Sequence, residues 1–272
     1  IYLPCPPAML HMNFPFFDGY VHPSYLDVIA LSIEDNGGQA MKSEEELEAQ
    51  RIEWAKKDTL RYRQGYPDLD KQTDDTSKNK NLLFYQGKIP SAPSGDLIDV
   101  IHDKWWGDYK KLERHHSYIQ WLFPLRERPG FAALQQFMPH EIKAMKADAK
   151  IMRRIRVSYD MMLHFYGMKV KDNSKSGEIE RNINWKERFT AINNPFDHNF
   201  LRITRILKHL GEMGFEALGY HENFMKFIFH EIFDNKQLNY LLKPATTYWI
   251  YSIRDPKIVK SLEAELQARK KS

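Results

Sequence analysis

Cysteine is almost absent. Cys5 stands alone, so no internal disulfide can form, and stability must come from packing, as is usual in reducing compartments. No Asn-x-Ser/Thr sequon occurs, which agrees with a protein that is not secreted. Long apolar runs are missing too. The longest uncharged stretch near the start, 1–17, is interrupted by Pro4, Pro6, Pro7 and Pro15, whereas a spanning helix needs about 20 apolar residues. It also lacks the basic start of a secretory leader. Neither Gly-x-Gly-x-x-Gly nor a Walker loop is present to cradle phosphates, and no Gly-x-Ser-x-Gly elbow presents a nucleophile.

What is present belongs to a globular, soluble chain. Of 272 residues, 42% are hydrophobic, and Phe 16, Tyr 14 and Trp 6 supply ample apolar area, which excludes disorder of the whole. Starting at Ile1 rather than Met, the sequence reads as part of a longer protein. Net charge is +4 but uneven. Residues 1–100 carry 10 basic and 16 acidic side chains; residues 101–272 carry 30 and 20. The basic part either faces an acidic partner, phosphate or membrane surface, or is neutralised within the protein.

Periodicity predicts one compact all-α multi-helix domain over 43–272, preceded by an extended Pro- and aromatic-rich arm over 1–42. Ser43 with Glu46 forms a capping-box start for a helix to about Arg63. Leu82–Tyr85 and Lys88-Ile89, around Gln86-Gly87, suggest a short β-hairpin, the only strand expected. Ile98, Ile101, Trp105 and Leu112 share one side at helical spacing. Met145, Met152, Ile155, Tyr159 and Met162 form one stripe of a helix starting near Pro139 and stopping at Gly167, with Lys143, Lys146, Lys150, Arg153 and Arg154 opposite. Asp197 or Asn199 opens another helix. Its Ile203, Ile206, Leu207, Leu210 and Met213 face inward, while Arg202, Arg205, Lys208 and His209 face away. Phe224–Phe233 and Thr246–Ile253 read as buried helices, and Pro256 begins a last amphipathic one.

Chemistry-bearing constellations are scarce. His140-Glu141, His221-Glu222 and His230-Glu231 each lack the second histidine four residues on that a zinc-protease helix needs; Ala144, Met225 and Asp234 stand there. No metal or cofactor is expected, and the chain reads as a binder rather than an enzyme. The basic stripes are read either as solvated faces or as docking surfaces for an acidic partner. Specific nucleic-acid binding is not favoured, because the stripes face away from their aromatics. The densest apolar segment, His116-Ser117-Tyr118-Ile119-Gln120-Trp121-Leu122-Phe123-Pro124-Leu125, suits either a core or a binding hot spot.

That segment resembles the signature of the opioid growth factor receptor family. Collinear matches extend the resemblance from about 58 to about 235: Tyr62-Arg63 with Tyr66-Pro67-Asp68-Leu69, Asn81 with Phe84-Tyr85, then Trp105, Tyr109, Leu112 and Glu113. Further on come Leu163 with Phe165-Tyr166-Gly167, Arg188-Phe189, and the block from Asn199 to Lys208 followed by Leu210-Gly211-Glu212-Met213-Gly214. The chain departs from the family pattern after Arg126-Glu127 and at His198-Asn199-Phe200. The resemblance implies an intracellular protein, cytoplasmic, perinuclear or nuclear, that binds the enkephalin-type peptide Tyr-Gly-Gly-Phe-Met and restrains proliferation. An aromatic peptide needs an apolar cleft and a carboxylate for its amino terminus. Trp105, Glu113, His116, Tyr118 and Trp121 are the expected ligand-binding residues. The rivals are a phosphate-ligand or enzyme site using His116, Arg202 and Arg205, and a peripheral membrane-surface module using the basic stripes.

Overall fold

The computed structural model describes residues 44–67, 74–127, 129, 134–194 and 198–271. The expected arm over 1–42, the Ser43 cap and Asp197 lie outside these. The described residues pack as one unit. Its helices are α1 Glu44–Arg63, α2 Lys80–Tyr85, α3 Ile98–Lys104, α4 Tyr109–Arg114, α5 Tyr118–Leu122, α6 Pro139–Ala147 and α7 Ala149–Phe165. After a two-stranded antiparallel hairpin, β1 Met168–Val170 and β2 Ile179–Arg181, come α8 Trp185–Ile192, α9 Asn199–Met213 and α10 Tyr220–Phe229. An irregular helical run over 239–252 leads into α11 Pro256–Lys271. The described part is therefore mostly helical, as the periodicity predicts.

The hairpin expected at 82–89 is corrected. Asn81, Phe84 and Tyr85 are buried on one side at spacings of three and four, which is helical period. Gln86-Gly87 is the helix stop, not a hairpin turn: the Gly87 amide donates to Phe84 O and the Lys88 amide to Leu83 O, with Gly87 at φ +75°. This is the Schellman arrangement, which needs the left-handed backbone that glycine adopts without strain. The hairpin that exists pairs Met168 with Arg181 and Val170 with Ile179, and Lys169 and Glu180 face each other as an ion pair at 2.9 Å.

The helix expected from Pro139 to Gly167 is two helices. Asp148 takes an extended conformation between them, and its carboxylate accepts from the Lys150 and Ile151 amides, capping α7. Buried Glu141 does the equivalent work for two helix starts. Its carboxylate accepts from the Met138 amide at the start of α6, and from the Leu82 amide and Asn81 side chain of α2, each at 3.0 Å. Burial raises its pKa against those hydrogen bonds.

The core is one cluster from Phe84 to Leu266, with α7 and α9 carrying much of it. The inward set expected for α9 is buried as predicted, but its other face is not solvated. Arg202, Lys208 and His209 are also buried, because α4, the segment 123–127 and α1 close over that side. A separate small cluster of Tyr62 and Tyr66 lies at the end of α1. There Glu127 accepts from Tyr66 Oη (2.8 Å) and Lys208 Nζ (2.9 Å). Burial alone would raise the Glu127 pKa, but the Lys208 ammonium and these hydrogen bonds pull it to about 2.

Candidate functional site

Helix α4 ends at His115, leaving its last carbonyls without intrahelical donors. Arg202, reaching over from α9, supplies them. Its Nη1 donates to Leu112 O (3.0 Å) and Asn199 Oδ1 (3.1 Å). Nη2 donates to Glu113 O (3.1 Å), His115 O (3.4 Å) and His116 Nδ1 (3.4 Å). The guanidinium also lies over the Tyr118 ring, 5.6 Å from its centroid. A buried cation at the negative end of a helix is electrostatically favoured. The Glu113 carboxylate meets His198 Nε2 at 3.1 Å and the Asn199 amide at 3.4 Å. Burial lowers the His198 pKa to about 4, with Arg202 and His116 acting the same way against Glu113, so this imidazole is neutral near pH 7.

Four of the residues singled out from sequence, Glu113, His116, Tyr118 and Arg202, thus come together from separate segments, with Trp105 behind them. The Trp105 ring packs on Tyr118 (5.6 Å) and His115 (4.9 Å), its indole N–H donates to Asp96 (2.9 Å), and Lys111 caps its outer face at 4.0 Å. Trp121 does not join them. It packs on Phe84 at 5.3 Å and donates to Ala92 O at 2.9 Å. Trp105, Tyr118 and Trp121 are all buried; hydrophobic burial has drawn these rings into the core.

Arg205, one helical turn beyond Arg202, donates to Phe123 O at 3.3 Å and faces Glu127 instead. The trio His116, Arg202 and Arg205 therefore does not converge, and Arg202 is no part of a basic surface. Neither is Arg154. It is buried against Asp99 in a two-point ion pair, with Nη1 on Tyr85 O at 2.7 Å. Lys146, Lys150 and Arg153 are exposed as expected.

Among the described residues no His, Cys, Asp and Glu side chains group as a metal site, and the three His-Glu histidines have other partners. His140 holds Asp74 and His230 holds Asp234, both at 2.6 Å, and His221 bonds Leu207 O at 2.7 Å. An apolar void between α7 and α9, lined by Tyr159, Ile203 and Phe224 among others, is far too small for an aromatic ring. No described helix is long and apolar enough to cross a membrane.

An exposed aromatic shelf lies beside this cluster, and sequence reasoning missed its outer members. Trp106 is 39% exposed, with its ring 5.6 Å from His164. His164 Nδ1 lies 3.3 Å from Tyr109 Oη, and Asn184 donates to both Tyr109 Oη (2.5 Å) and His164 O (2.9 Å). Ile183, next to Asn184, is 96% exposed. Arg188 backs the Tyr109 ring at 4.3 Å. Tyr109 and Glu113 stand four residues apart on α4, so they share one face, and half-exposed Glu113 borders the shelf. The tandem Trp105-Trp106 was the available signal. Adjacent positions at the end of a short helix point in different directions, and here Trp105 enters the core while Trp106 faces out.

Comparisons with known proteins complete this picture. No solved structure matches. The chain is 40% identical over 221 residues to the opioid growth factor receptor-like protein 1 of Rattus norvegicus, covering 81% of this chain and 46% of that one. It is 38% identical over 200 residues to the opioid growth factor receptor of Mus musculus and 36% to that of Homo sapiens. These two alignments cover 74% of this chain but only 31% and 29% of the relatives. The chain thus spans less than half the length of these relatives. The sequence model described as the opioid growth factor receptor (OGFr) conserved region matches residues 74–269, from before α2 to within α11. This chain belongs to the opioid growth factor receptor family.

Proposed function

We propose that this chain is the peptide-recognising part of an intracellular growth-regulatory protein, cytoplasmic, perinuclear or nuclear, and that it takes a short aromatic peptide of enkephalin type on the shelf of Trp106, Tyr109 and Ile183. Glu113, with His116 and His198 beside it, receives the peptide's ammonium group. Trp105 and Tyr118 act from behind, holding Arg202 and the end of α4 in place. The observation that carries the reading is the pairing of a solvent-facing Trp and Ile with a half-exposed carboxylate one helical turn from Tyr109. Exposed aromatic anchors of this kind are typical of binding hot spots, and two relatives are named opioid growth factor receptor.

Against the phosphate-site rival, Nη1 and Nη2 of Arg202 are taken by carbonyls, Asn199 and His116. A fluorescent Tyr-Gly-Gly-Phe-Met peptide titrated into the protein tests the proposal. Trp106→Ala and Ile183→Asp should each weaken binding by about tenfold or more, roughly 1.4 kcal/mol, while leaving the melting temperature within a few degrees. Glu113→Gln should weaken the peptide but not its N-acetylated form further. Unchanged affinity in both shelf variants overturns the site.

A further inference from the structure

Helix α6 and the first turns of α7 carry a run of exposed cations that the peptide reading does not use. Lys143, Lys146, Lys150 and Arg153 are all exposed, and none of their side chains has a hydrogen-bond or ion-pair partner among the described residues. The two acidic side chains in this stretch are committed elsewhere: Glu141 is buried on amides, and Asp148 caps α7. The other exposed side chains between the cations are Ala144, Ala147 and Ala149, so a partner's backbone can approach closely. The exposed cations early in α11 are interleaved with acids. In α11, Lys257 and Lys260 follow Asp255 and precede Glu263 and Glu265.

We propose that this uncompensated face docks an acidic polypeptide segment, independently of the peptide shelf. Charge complementarity fixes the sign of the partner. A membrane surface is disfavoured, because interfacial binding needs apolar side chains to insert, and the exposed uncharged residues here are alanines. Nucleic acid is disfavoured, because the face offers no exposed aromatic for stacking and no Asn or Gln for base edges.

The test uses the chain as it stands, with three probes at low and at about 0.15 M ionic strength. These are a fluorescein-labelled Glu/Asp-rich peptide without aromatics, a short duplex DNA, and phosphatidylserine/phosphatidylcholine vesicles. The double variant Lys146→Glu/Lys150→Glu is compared with Lys257→Glu/Lys260→Glu, which changes net charge equally at another place. The expected result is acidic-peptide binding that falls with salt, weakens about tenfold or more in the first variant and is nearly unchanged in the second. Melting curves confirm folding, and the corresponding Gln variants repeat the comparison if a Glu variant melts early. No peptide binding by the parent protein at low salt, or equal loss in both variants, overturns the proposal. So does a patch-dependent preference for the duplex or the vesicles over the peptide.

Discussion

At the scale of single residues, polar side chains inside this protein hold backbone ends together. Arg202 is the clearest case, as its guanidinium reaches the Leu112, Glu113 and His115 carbonyls together. Removing it strands several buried acceptors, so Arg202→Met should cost about 3–5 kcal/mol in denaturant unfolding. Arg202→Lys should recover little, because an ammonium cannot fork to carbonyls on two sides. A near-wild-type lysine variant would show that charge alone matters. His209 makes a different prediction. It is buried among Tyr85, Phe123 and Phe137 and bonds Pro124 O at 2.9 Å. Burial lowers its pKa to about 4. The unfolded chain therefore binds the proton that the folded one refuses, and stability must fall as pH drops from about 6.5 to about 4. His102 and His198, both also lowered to about 4, add to the same slope. His209→Gln should reduce the stability difference between pH 7 and pH 5 relative to the parent. An equal difference would place the acid sensitivity elsewhere.

At the scale of elements, the legible part of the fold was set by apolar spacing. The stripe through Ile155, Tyr159 and Met162, the inner face of α9 and the Leu262–Leu266 face of α11 are buried as that spacing predicts. Two kinds of feature were not legible. The break at Asp148 leaves the stripe unbroken, so periodicity reads straight through it. The second face of α9 looks like a solvated surface in sequence, because burial of Arg202 and Lys208 depends on carbonyls and carboxylates far along the chain. The site followed the same logic. Glu113, His116 and Tyr118, which the sequence grouped, lie together with Arg202, which it assigned to a rival phosphate site or a basic surface, while Trp121 is packed in the core and the exposed Trp106 was passed over for its neighbour. One element contact yields a sharp test. A Cβ on Gly211 would lie 1.8 Å from Tyr62 Oη, so the docking of α1 on α9 requires glycine there. Gly211→Ala should destabilise by about 1–3 kcal/mol through overpacking. The Tyr62 hydroxyl is buried without a hydrogen-bond partner among the described residues, so Tyr62→Phe alone should cost little and, combined with Gly211→Ala, should restore much of the loss. A strictly additive double mutant would place the strain elsewhere.

At the scale of the whole described molecule, ion pairs and cation–ring contacts tie segments that lie far apart in sequence. Arg154 reaches Asp99, Arg181 holds buried Glu231 in a bidentate pair at 2.8 and 2.6 Å, and Lys208 meets Glu127. Such pairs, where buried, are little screened by salt. The longest of these ties joins α1 to the segment before α11. Arg254 donates to Tyr62 O at 3.0 Å, pairs with buried Glu212, and lies 4.1 Å from the Tyr62 ring centroid, while Lys56 sits 4.8 Å from the Tyr251 ring centroid. The matched family region begins at residue 74, after α1, and Arg254 with Lys56 ties α1 to the unit. Arg254→Ala leaves Glu212 buried without its cation, a loss of about 3–5 kcal/mol where it acts. Hydrogen exchange locates that loss. If the clasp is what anchors α1, amides of α1 exchange much faster in the variant while those of α7 keep their protection, because local opening then costs less than global unfolding. A uniform loss of protection across α1, α7 and α9 would instead make Arg254 a support of the whole core.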